Sequence, residues 1–407
     1  MAIKVFIATS CRWFSAARLA MAFQRAGCVV EAVCPPHHPV LSTRALETHY
    51  RYRALAPLRS LRSAILSSRP DLIVPSDDLA MLHLHRLYNL CVEAGGDDAK
   101  FVRKAIRTSL GEPAGYSVTG SQNRLMAVAR EENIQTPQTQ ALRSIEEMER
   151  WLSQHEFPAV LKADGTSGGE GVRIVQTMRE ALRAYRTLHA PLHTAVVAKR
   201  ACLDGDWNSV LPWLWQRQRR VSIQSFVTGP DANIAVSCWE GEVLSSISAR
   251  VLKTWIPKGP ATLIRLIENE EMLQAATKIV RRLKFSGLCG FDFMMDEVSG
   301  APLLIEMNAR ATQTCALPLG PGKDLIASLC STMTNQRPYG PPVETGGDTI
   351  ALFPLAWQGN TSSELFQSAY HDIPWEEPKL VRLGLKQARS SSPREKWSRM
   401  RATLRSQ

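Results

Sequence analysis

The sequence of 407 residues lacks the features that mark membrane or secreted proteins. No apolar run approaches the roughly 20 residues that a membrane-spanning helix needs. The first residues, MAIKVFIATS, predict a strand, and they lack the basic segment and the cleavage site of a signal peptide. We therefore expect a cytoplasmic protein without a membrane span.

The chain also lacks the usual signatures of zinc sites and of covalent catalysis. Its nine cysteines form no C-x-x-C pair, and most have apolar neighbours, as in AGCVV, so we interpret them as buried reduced thiols. No Ser–His–Asp or Cys–His arrangement is recognisable. His83 and His85 alternate with leucines in a predicted helix, and we interpret them as structural residues.

The chain has fewer acidic residues than basic residues, which gives a formal net charge of +11. Such a balance suits nucleic acid, an anionic surface or a polyphosphate. Much of the excess lies in the last segment, KQARSSSPREKWSRMRATLRSQ, which has little apolar content. We interpret this segment as a solvated tail, and nucleic acid is the less favoured partner.

The first third of the chain alternates strand and helix patterns, from IKVFIAT through SAARLAMAFQRAG and CVVEAVCP to DLIVPSDD. This alternation predicts a Rossmann-like parallel sheet with helices on both faces. No G-x-G-x-x-G follows the first strand, so no dinucleotide is assigned. PSDD, residues 75–78, ends a strand where open sheets bind ligands, and Asp77 could equally be a helix cap.

A single lysine followed by a glycine-rich loop stands out in FPAVLKADGTSGGEGVRIV. Lys162 ends one strand, and a second β-branched run follows the loop. An ammonium group neutralises phosphate oxygens, and glycines let backbone N–H groups approach them. Taken alone, a phosphate-binding flap and an ordinary mobile turn are equally good interpretations.

A second hairpin, GLCGFDFMMDEVSGAPLLIEMNAR, carries carboxylates within apolar strands. Glu306 and Asn308 are two residues apart, so they point to the same face, and antiparallel pairing can bring Asp292 opposite them. Two carboxylates and an amide oxygen suit Mg²⁺. Arg310 continues this face and could bind an anionic group. The alternative is a polar stripe exposed to solvent.

The order of these pieces resembles the ATP-grasp superfamily. The residues that carry the resemblance are VLKADGTSGGEGVRIV, IQSFVTGPD, GFDFMMD and IEMNAR, and it covers roughly residues 1–335. The resemblance implies ATP held between two α+β subdomains. It also implies phosphorylation of a carboxylate to an acylphosphate, followed by capture by an amine or another nucleophile.

The resemblance implies a role for each matching position. Lys162 would contact the α- and β-phosphates, Ser225 and Val227 would bind adenine through the backbone, and Asp231 would bind the ribose. Asp292, Glu306 and Asn308 would hold one or two Mg²⁺ ions, with Mn²⁺ as a substitute. Arg310 would touch the acid or the transferred phosphoryl group, and Arg250 and Lys253 are a loose match to a cation for the γ-phosphate. The remaining nucleotide-binding positions are Gly165, Ser167, Gly168, Gly169 and Gly171 in the flap, and Gln224 and Phe226 in the hinge.

Three positions depart from the pattern of the superfamily. Arg124 stands where a first phosphate-binding lysine is common, which keeps the charge but changes the geometry. The usual N-P-R is NAR here, and Gln224 replaces a frequent acidic residue of the hinge. These departures leave the nucleotide choice and the turnover rate open.

We therefore predict an α/β chain with a Rossmann-like unit over residues 1–110 and an ATP-grasp module over residues 111–335. The module would have a lid at about 125–222 and a metal-binding part at about 223–335, and residues 336–407 would form a C-terminal extension. The predicted function is an ATP-dependent carboxylate–amine or carboxylate–thiol ligase. It would act on small-molecule substrates and form ADP and phosphate, with a homodimer as the expected state. The alternatives are a phosphotransferase of the same fold and a nucleotide-binding regulatory protein that contacts an anionic partner.

One further segment, CLDGDWNSVLPWLWQRQRR, lies between the predicted strands TAVVAKRA and VSIQSFV. Its tryptophans and arginines could cover a substrate, line a subunit contact or stack on bases. The preferred interpretation is a packed hairpin of the lid.

Overall fold

The computed structural model describes residues 2–164, 171–202, 207–214, 218–256, 259–335, 345–358 and 361–390. Four flap residues predicted to bind phosphate, Gly165, Ser167, Gly168 and Gly169, lie outside these ranges, as does the end of the basic tail. Among the described residues, no helix combines the length and the apolar character needed to cross a bilayer.

The N-terminal unit is a four-stranded parallel sheet between helices, as the alternating pattern predicts. Its strand order is β3-β2-β1-β4. One face packs against α1 and the other against α2, α3 and α4, so β1, β2 and β4 are buried on both sides, whereas the edge strand β3 is largely exposed. The elements are β1 (Lys4–Ala8), α1 (Ser15–Arg25), β2 (Val29–Cys34), β3 (Thr48–Arg51), α2 (Pro57–Ser68), β4 (Leu72–Pro75), α3 (Asp78–Ala94) and α4 (Gly96–Leu110).

The second unit is a small antiparallel sheet, here called the lid sheet, with strand order β5-β8-β6-β7. Leu161 and Ile223 lie on the face that packs against α7 and α8. The opposite face carries Lys162. The elements are α5 (Tyr116–Thr119), α6 (Gln122–Glu131), β5 (Thr139–Leu142), α7 (Ile145–Leu152), β6 (Ala159–Ala163), β7 (Val172–Val175), α8 (Met178–His189), α9 (Thr194–Cys202), α10 (Val210–Leu214) and β8 (Val221–Ser225).

The segment between α8 and β8 differs from the prediction. TAVVAKRA forms the helix α9, and a 3₁₀ turn at Trp207–Ser209 and the short α10 follow instead of a hairpin. Val197 and Ala201 are the buried residues of α9, and their spacing of four places them on one helical face. Burial of that face outweighs the β-branched composition that favoured a strand.

The third unit is a seven-stranded sheet, here called the core sheet, with order β13-β12-β9-β10-β11-β14-β15. Helix α11 packs on one face, and α1 and α12 pack on the other. The β9–β10 turn has positive φ at Glu240 and Gly241, as a two-residue hairpin turn requires. The elements are β9 (Asp231–Trp239), β10 (Glu242–Thr254), β11 (Ala261–Ile267), α11 (Glu270–Leu283), β12 (Gly287–Met295), β13 (Pro302–Asn308), α12 (Leu325–Thr334), β14 (Thr349–Ala351), α13 (Glu364–Gln367), β15 (Tyr370–His371) and α14 (Pro378–Ser390).

The C-terminal segment ties the N-terminal unit to the core sheet. Strands β14 and β15 extend that sheet, and the carboxylate of Asp372 forms a buried ion pair with Arg18 of α1. Glu377 accepts hydrogen bonds from the Thr43 hydroxyl at 3.0 Å and from the Arg44 backbone N–H at 2.9 Å. These contacts fix the edge of the N-terminal sheet relative to the core sheet.

Candidate functional site

The acidic residues predicted to hold a metal lie together on one face of the core sheet. Asp292 pairs directly with Glu306, and Asn308 pairs with Gly290 two positions along the same strands. Because directly paired residues share a face, all three side chains point the same way. This arrangement follows the prediction from the two-residue spacing.

The surrounding protein disfavours negative charge at this position. Burial raises the pKa of Asp292, with Asn308 and Arg310 opposing the shift. Desolvation, followed by the charge of Asp292, raises the pKa of Glu306 to about 7, although solvent reaches Glu306 from the cleft. Two carboxylates held this way favour a cation between or beside them.

Lys162 of the lid sheet faces Asp292 and Glu306, which are here called the acidic pair. Its positive charge lowers the pKa of both Asp292 and Glu306, against the effect of burial. The two sheets therefore present opposite charges to a common cleft. Lys162 is half-buried on β6, and the hairpin beyond it closes through the Ala163 N–H, which donates to the Gly171 carbonyl at 2.9 Å.

The cleft face of the lid sheet also carries two buried polar atoms that have no hydrogen-bond partner among the described residues. These atoms are Ser222 Oγ and Gln224 Oε1. Ser222 pairs with Lys162 and Gln224 pairs with Val160, so both side chains share the face of Lys162. Buried polar atoms are rarely left unsatisfied, so this face fits a ligand with hydrogen-bonding groups.

The predicted hinge connects the lid sheet to the core sheet. Strand β8 ends at Ser225, and β9 begins at Asp231. Phe226 and Val227 between them are half-buried. Asp231 lies on the face of Asp292 and raises its pKa, so the hinge leads directly to the acidic pair.

Arg310 is nearly buried and has three hydrogen-bond acceptors. Its Nε donates to Asp78 Oδ1 at 2.8 Å, one terminal nitrogen donates to Asn308 Oδ1 at 3.0 Å, and the other donates to the Ala311 carbonyl at 3.3 Å. Its guanidinium carbon lies 4.8 Å from the centre of the Trp13 ring. Burial alone would lower the pKa of Arg310, but the charge of Asp78 raises it above its usual value.

The other predicted cations are Arg250, Lys253 and Arg124. Arg250 pairs with Ala232, whereas Asp292 pairs with Asn233, so the two side chains are on opposite faces of the core sheet. The ammonium of Lys253 donates to Ser363 Oγ at 2.9 Å. Arg124 lies on the exposed side of α6. The roles of Arg250 and Lys253 at the γ-phosphate and of Arg124 at the nucleotide stay predictions.

The PSDD segment contains a cap and a functional candidate side by side. Asp77 caps α3 through the Ala80 N–H at 2.8 Å and also accepts the Ser10 N–H, which confirms the cap interpretation. Asp78 instead pairs with Arg310. Asp78 and Trp13 were not identified individually from the sequence, although the strand-end position of PSDD was the available signal.

The segment before β8 reaches across to the N-terminal unit. Asn208 donates to the Ser10 carbonyl at 2.9 Å and accepts from the Tyr52 hydroxyl at 3.1 Å. Tyr52 also stacks on His83, its hydroxyl lying 3.2 Å from His83 Nδ1. The cleft is therefore bounded by the lid sheet, the core sheet and the carboxyl edge of the N-terminal sheet.

Among the described residues, no three His, Cys, Asp or Glu side chains converge as a complete metal cage. Two carboxylates are nevertheless the set with which Mg²⁺ binds when substrate phosphates and water supply the other oxygens. Asn308 Oδ1 is turned toward Arg310 and its amide nitrogen donates to Asp292 at 2.8 Å, so the amide would have to rotate to bind a cation. Asp292 and Glu306 fit Mg²⁺, and Asn308 fits it only after that rotation.

Comparison with known proteins identifies similar chains. Residues 121–319 match the family described as carbamoyl-phosphate synthase L chain, ATP binding domain. The biotin carboxylase domain of Hydrogenobacter thermophilus 2-oxoglutarate carboxylase, solved with MgADP and bicarbonate, is 17% identical, with a TM-score of 0.58 over 84% of this chain and 72% of that chain.

Two other solved structures have the same fold. Carboxyaminoimidazole ribonucleotide synthase from Aspergillus clavatus, in complex with ATP, is 12% identical, with a TM-score of 0.60 over 84% of this chain and 80% of that chain. L-amino acid ligase from Bacillus licheniformis is 14% identical, with a TM-score of 0.55 over 82% and 74%. At these identities the likeness concerns the fold, which is the predicted α/β arrangement.

Proposed function

We propose that this chain is a member of the ATP-grasp superfamily and an ATP-dependent ligase that joins a small carboxylic acid to an amine or a similar nucleophile. The reaction would transfer the γ-phosphoryl group of ATP to the acid and release ADP. The nucleophile would then attack the acyl carbon as the bond to phosphate breaks, so that phosphate leaves and the amine loses a proton.

The observation that carries this proposal is that Lys162 of the lid sheet faces the acidic pair of the core sheet. A cation on one sheet and two carboxylates on another share a cleft, and the charge of the cation lowers the pKa of both carboxylates. A triphosphate with its metal ion requires both kinds of charge at a short distance. Neither sheet alone would provide them.

The remaining side chains of the cleft supply the other contacts that the reaction needs. Lys162 would bind the α- and β-phosphates, and Gly171 would close the flap over them. The unsatisfied Ser222 Oγ and Gln224 Oε1 would bind the nucleotide from the same face, with Ser225 and Val227 at adenine and Asp231 at ribose. Arg310 would bind the acid and stabilise the negative charge that develops on it.

Asp292 and Glu306 would hold Mg²⁺, which would offset the charge of the phosphate oxygens when bound. The pair suits this role because two carboxylates that face each other on paired strands repel unless a cation lies near them. Exclusion of water by the flap would protect the acylphosphate from hydrolysis.

A screen of ADP formation tests the proposal. Simple carboxylates and the twenty amino acids, alone and in pairs, are incubated with ATP and Mg²⁺, and ADP is measured. We expect repeated turnover to ADP only where an acid and a nucleophile are both present. With the acid alone, hydroxylamine should replace the nucleophile, so that ADP and the hydroxamate of the acid form together. ADP formation with retention of the phosphoryl group on the acceptor would identify a phosphotransferase instead.

The binding role of Lys162 has a separate test. Lys162→Ala should weaken ATP binding, because the variant removes the cation of the lid sheet. Lys278→Ala, at an exposed lysine that donates to the Glu132 carbonyl, is the matched control and should bind ATP normally. Unchanged ATP affinity in Lys162→Ala would contradict the proposed site.

A further inference from the structure

The acidic partner of Arg310 comes from a different unit of the fold. Asp78 is the first residue of α3 in the N-terminal unit, and Arg310 follows β13 of the core sheet, 232 positions later. The side chain of Arg310 is 10% exposed and that of Asp78 is 41% exposed. A guanidinium this deeply buried needs a charged partner, and Asp78 is the carboxylate that contacts it.

The contacts of Arg310 hold its guanidinium in one orientation. The Nε–H group is used by Asp78, and each terminal nitrogen donates one hydrogen bond, to Asn308 and to the Ala311 carbonyl. Trp13 covers the face of the group. A guanidinium has five N–H donors, so each terminal nitrogen retains one N–H beyond these contacts. Two such groups form the pair that binds a carboxylate with two parallel hydrogen bonds.

The same contacts continue to the acidic pair. Arg310 can only donate and the carboxylate of Asp292 can only accept, so the amide of Asn308 must turn its oxygen to Arg310 and its nitrogen to Asp292. A continuous series of hydrogen bonds therefore runs from Asp78 through Arg310 and Asn308 to Asp292. Loss of Asp78 would act first on the orientation of Arg310, which is the member of the series that it contacts directly.

We propose that Asp78 is a positioning residue for the acid-binding guanidinium of Arg310. It fixes Arg310 through Nε, which leaves one N–H group on each terminal nitrogen to bind the oxygens of the acid. The inference rests on the proposed ligase function, because it assumes that Arg310 receives an acid. It also gives the N-terminal unit a direct part in acid binding through a single residue of helix α3.

The test compares Asp78→Asn, Asp78→Glu and wild type with the acid and nucleophile found in the ADP screen. In Asp78→Asn the Arg310 side chain loses its charged anchor, and kcat/KM for the acid should fall about 10- to 100-fold. The KM for ATP should stay within about twofold, since the contacts of Lys162 are unchanged. Asp78→Glu should recover part of the loss because it restores the charge.

Asp98→Asn is the matched control. Asp98 is also an acidic residue in the first turn of a helix of the N-terminal unit, and it pairs with Arg62 at 3.8 Å away from the cleft. This variant should have wild-type kinetics, which separates the loss of a helix-terminal charge from the loss of the Arg310 anchor.

A double-mutant cycle on denaturant unfolding provides a readout without substrate. The losses of unfolding free energy in Asp78→Asn and Arg310→Gln should not add in the double variant. The double variant should be no less stable than the less stable of the two single variants. Additive effects, or normal acid kinetics in Asp78→Asn beside an active wild type, would overturn the positioning role alone. A wild-type chain without acid-dependent ADP formation would overturn the proposed function and this role together.

Discussion

Asp292 and Glu306 lie directly opposite each other on β12 and β13, with a bulge immediately after Asp292. Like charges at one cross-strand position repel each other, and the surrounding protein raises the pKa of both groups. A fold keeps such a pair at a cost in stability. The pair therefore indicates a site for a cation rather than a support for the hairpin.

Glu306→Gln should keep the fold and lose Mg²⁺-dependent ADP formation by about 100-fold or more, because one of two proposed metal-binding carboxylates is removed. Binding of Mn²⁺ to the ADP complex, followed by its magnetic resonance signal, should weaken in parallel. The metal-free variant should be at least as stable as wild type at pH 8, where Glu306 is charged.

Glu297→Gln, at an exposed position just beyond β12, is the control for Glu306→Gln and should bind Mn²⁺ normally. Normal Mn²⁺ affinity in Glu306→Gln would remove this residue from the metal site and leave Asp292 without a partner in that role.

Buried histidines should make the N-terminal unit sensitive to acid. Burial lowers the pKa of His38 and His83 to about 4 and that of His85 to about 3. Their folded pKa values lie below the ordinary value of 6.5, so their contribution to stability is present above pH 6.5 and is lost as the pH falls toward 4. The cause is the cost of charging an imidazole away from water.

His85→Gln provides the measurement. Between pH 6 and pH 4.5 the unfolding free energy of wild type should fall more steeply than that of the variant, by about 1.3 kcal/mol per pH unit for one proton. His49→Gln, on the exposed edge strand β3, should keep the wild-type slope. Equal slopes for wild type and His85→Gln would show that His85 titrates normally in the folded protein.

Gly229 in the hinge is required by both its backbone angle and its surroundings. Its φ is +152°, and a Cβ there would lie 1.7 Å from the Met295 carbonyl oxygen. Gly229→Ala should therefore destabilise the protein by about 2 kcal/mol or more and weaken ATP binding at the adjacent hinge.

Gly300→Ala is the comparison for Gly229→Ala. Gly300 has a φ of +72° but no atom within 4 Å of an added Cβ, so it carries the backbone cost without the clash. Gly300→Ala should lower the free energy of unfolding by about 1 kcal/mol and should leave ATP binding unchanged. Equal costs at the two glycines would mean that the hinge moves to accommodate the added methyl group.

The hairpin of Asp292 and Glu306 could be predicted from sequence because its information is local. Successive side chains of a strand point to opposite faces, so every second residue shares a face, and the turn at Gly300 limits the possible pairings. The same local reasoning predicted the N-terminal parallel sheet. The prediction of a strand at residues 194–201 was wrong, because these residues form α9. The β-branched residues Thr194, Val196 and Val197 favoured a strand, whereas the buried residues have the spacing of a helix.

The contacts between units could not be predicted in this way. The pairing of Asp78 with Arg310 and that of Asn208 with Ser10 depend on how separately folded elements dock, and no spacing rule connects residues that far apart. The direction of Lys253 depends likewise on the C-terminal segment, which supplies Ser363. The strand-end position of PSDD indicated a ligand-binding segment, but the choice of Asp78 as the partner of Arg310 depends on how the units dock.

The ion pair of Arg18 with Asp372 should be the strongest single link between the N-terminal unit and the C-terminal segment. Both side chains are buried, and burial raises the pKa of Asp372 while Arg18 opposes the shift. Asp372→Ala leaves an uncompensated buried guanidinium, so denaturant unfolding should show a loss of about 3–5 kcal/mol. Arg18→Met combined with Asp372→Leu should recover much of that loss, since neither charge then remains.

Arg25→Gln tests whether burial is the reason for the strength of the Arg18–Asp372 pair. Arg25 lies on the same helix and pairs with Glu376 of the same segment at 3.6 Å, but both side chains are about half exposed. Its loss should cost about 1 kcal/mol or less, because water and salt screen the pair. If Asp372→Ala lowers the free energy of unfolding no more than Arg25→Gln does, then water reaches the Arg18–Asp372 pair in solution. The apolar contacts of α1 would in that case hold the units together.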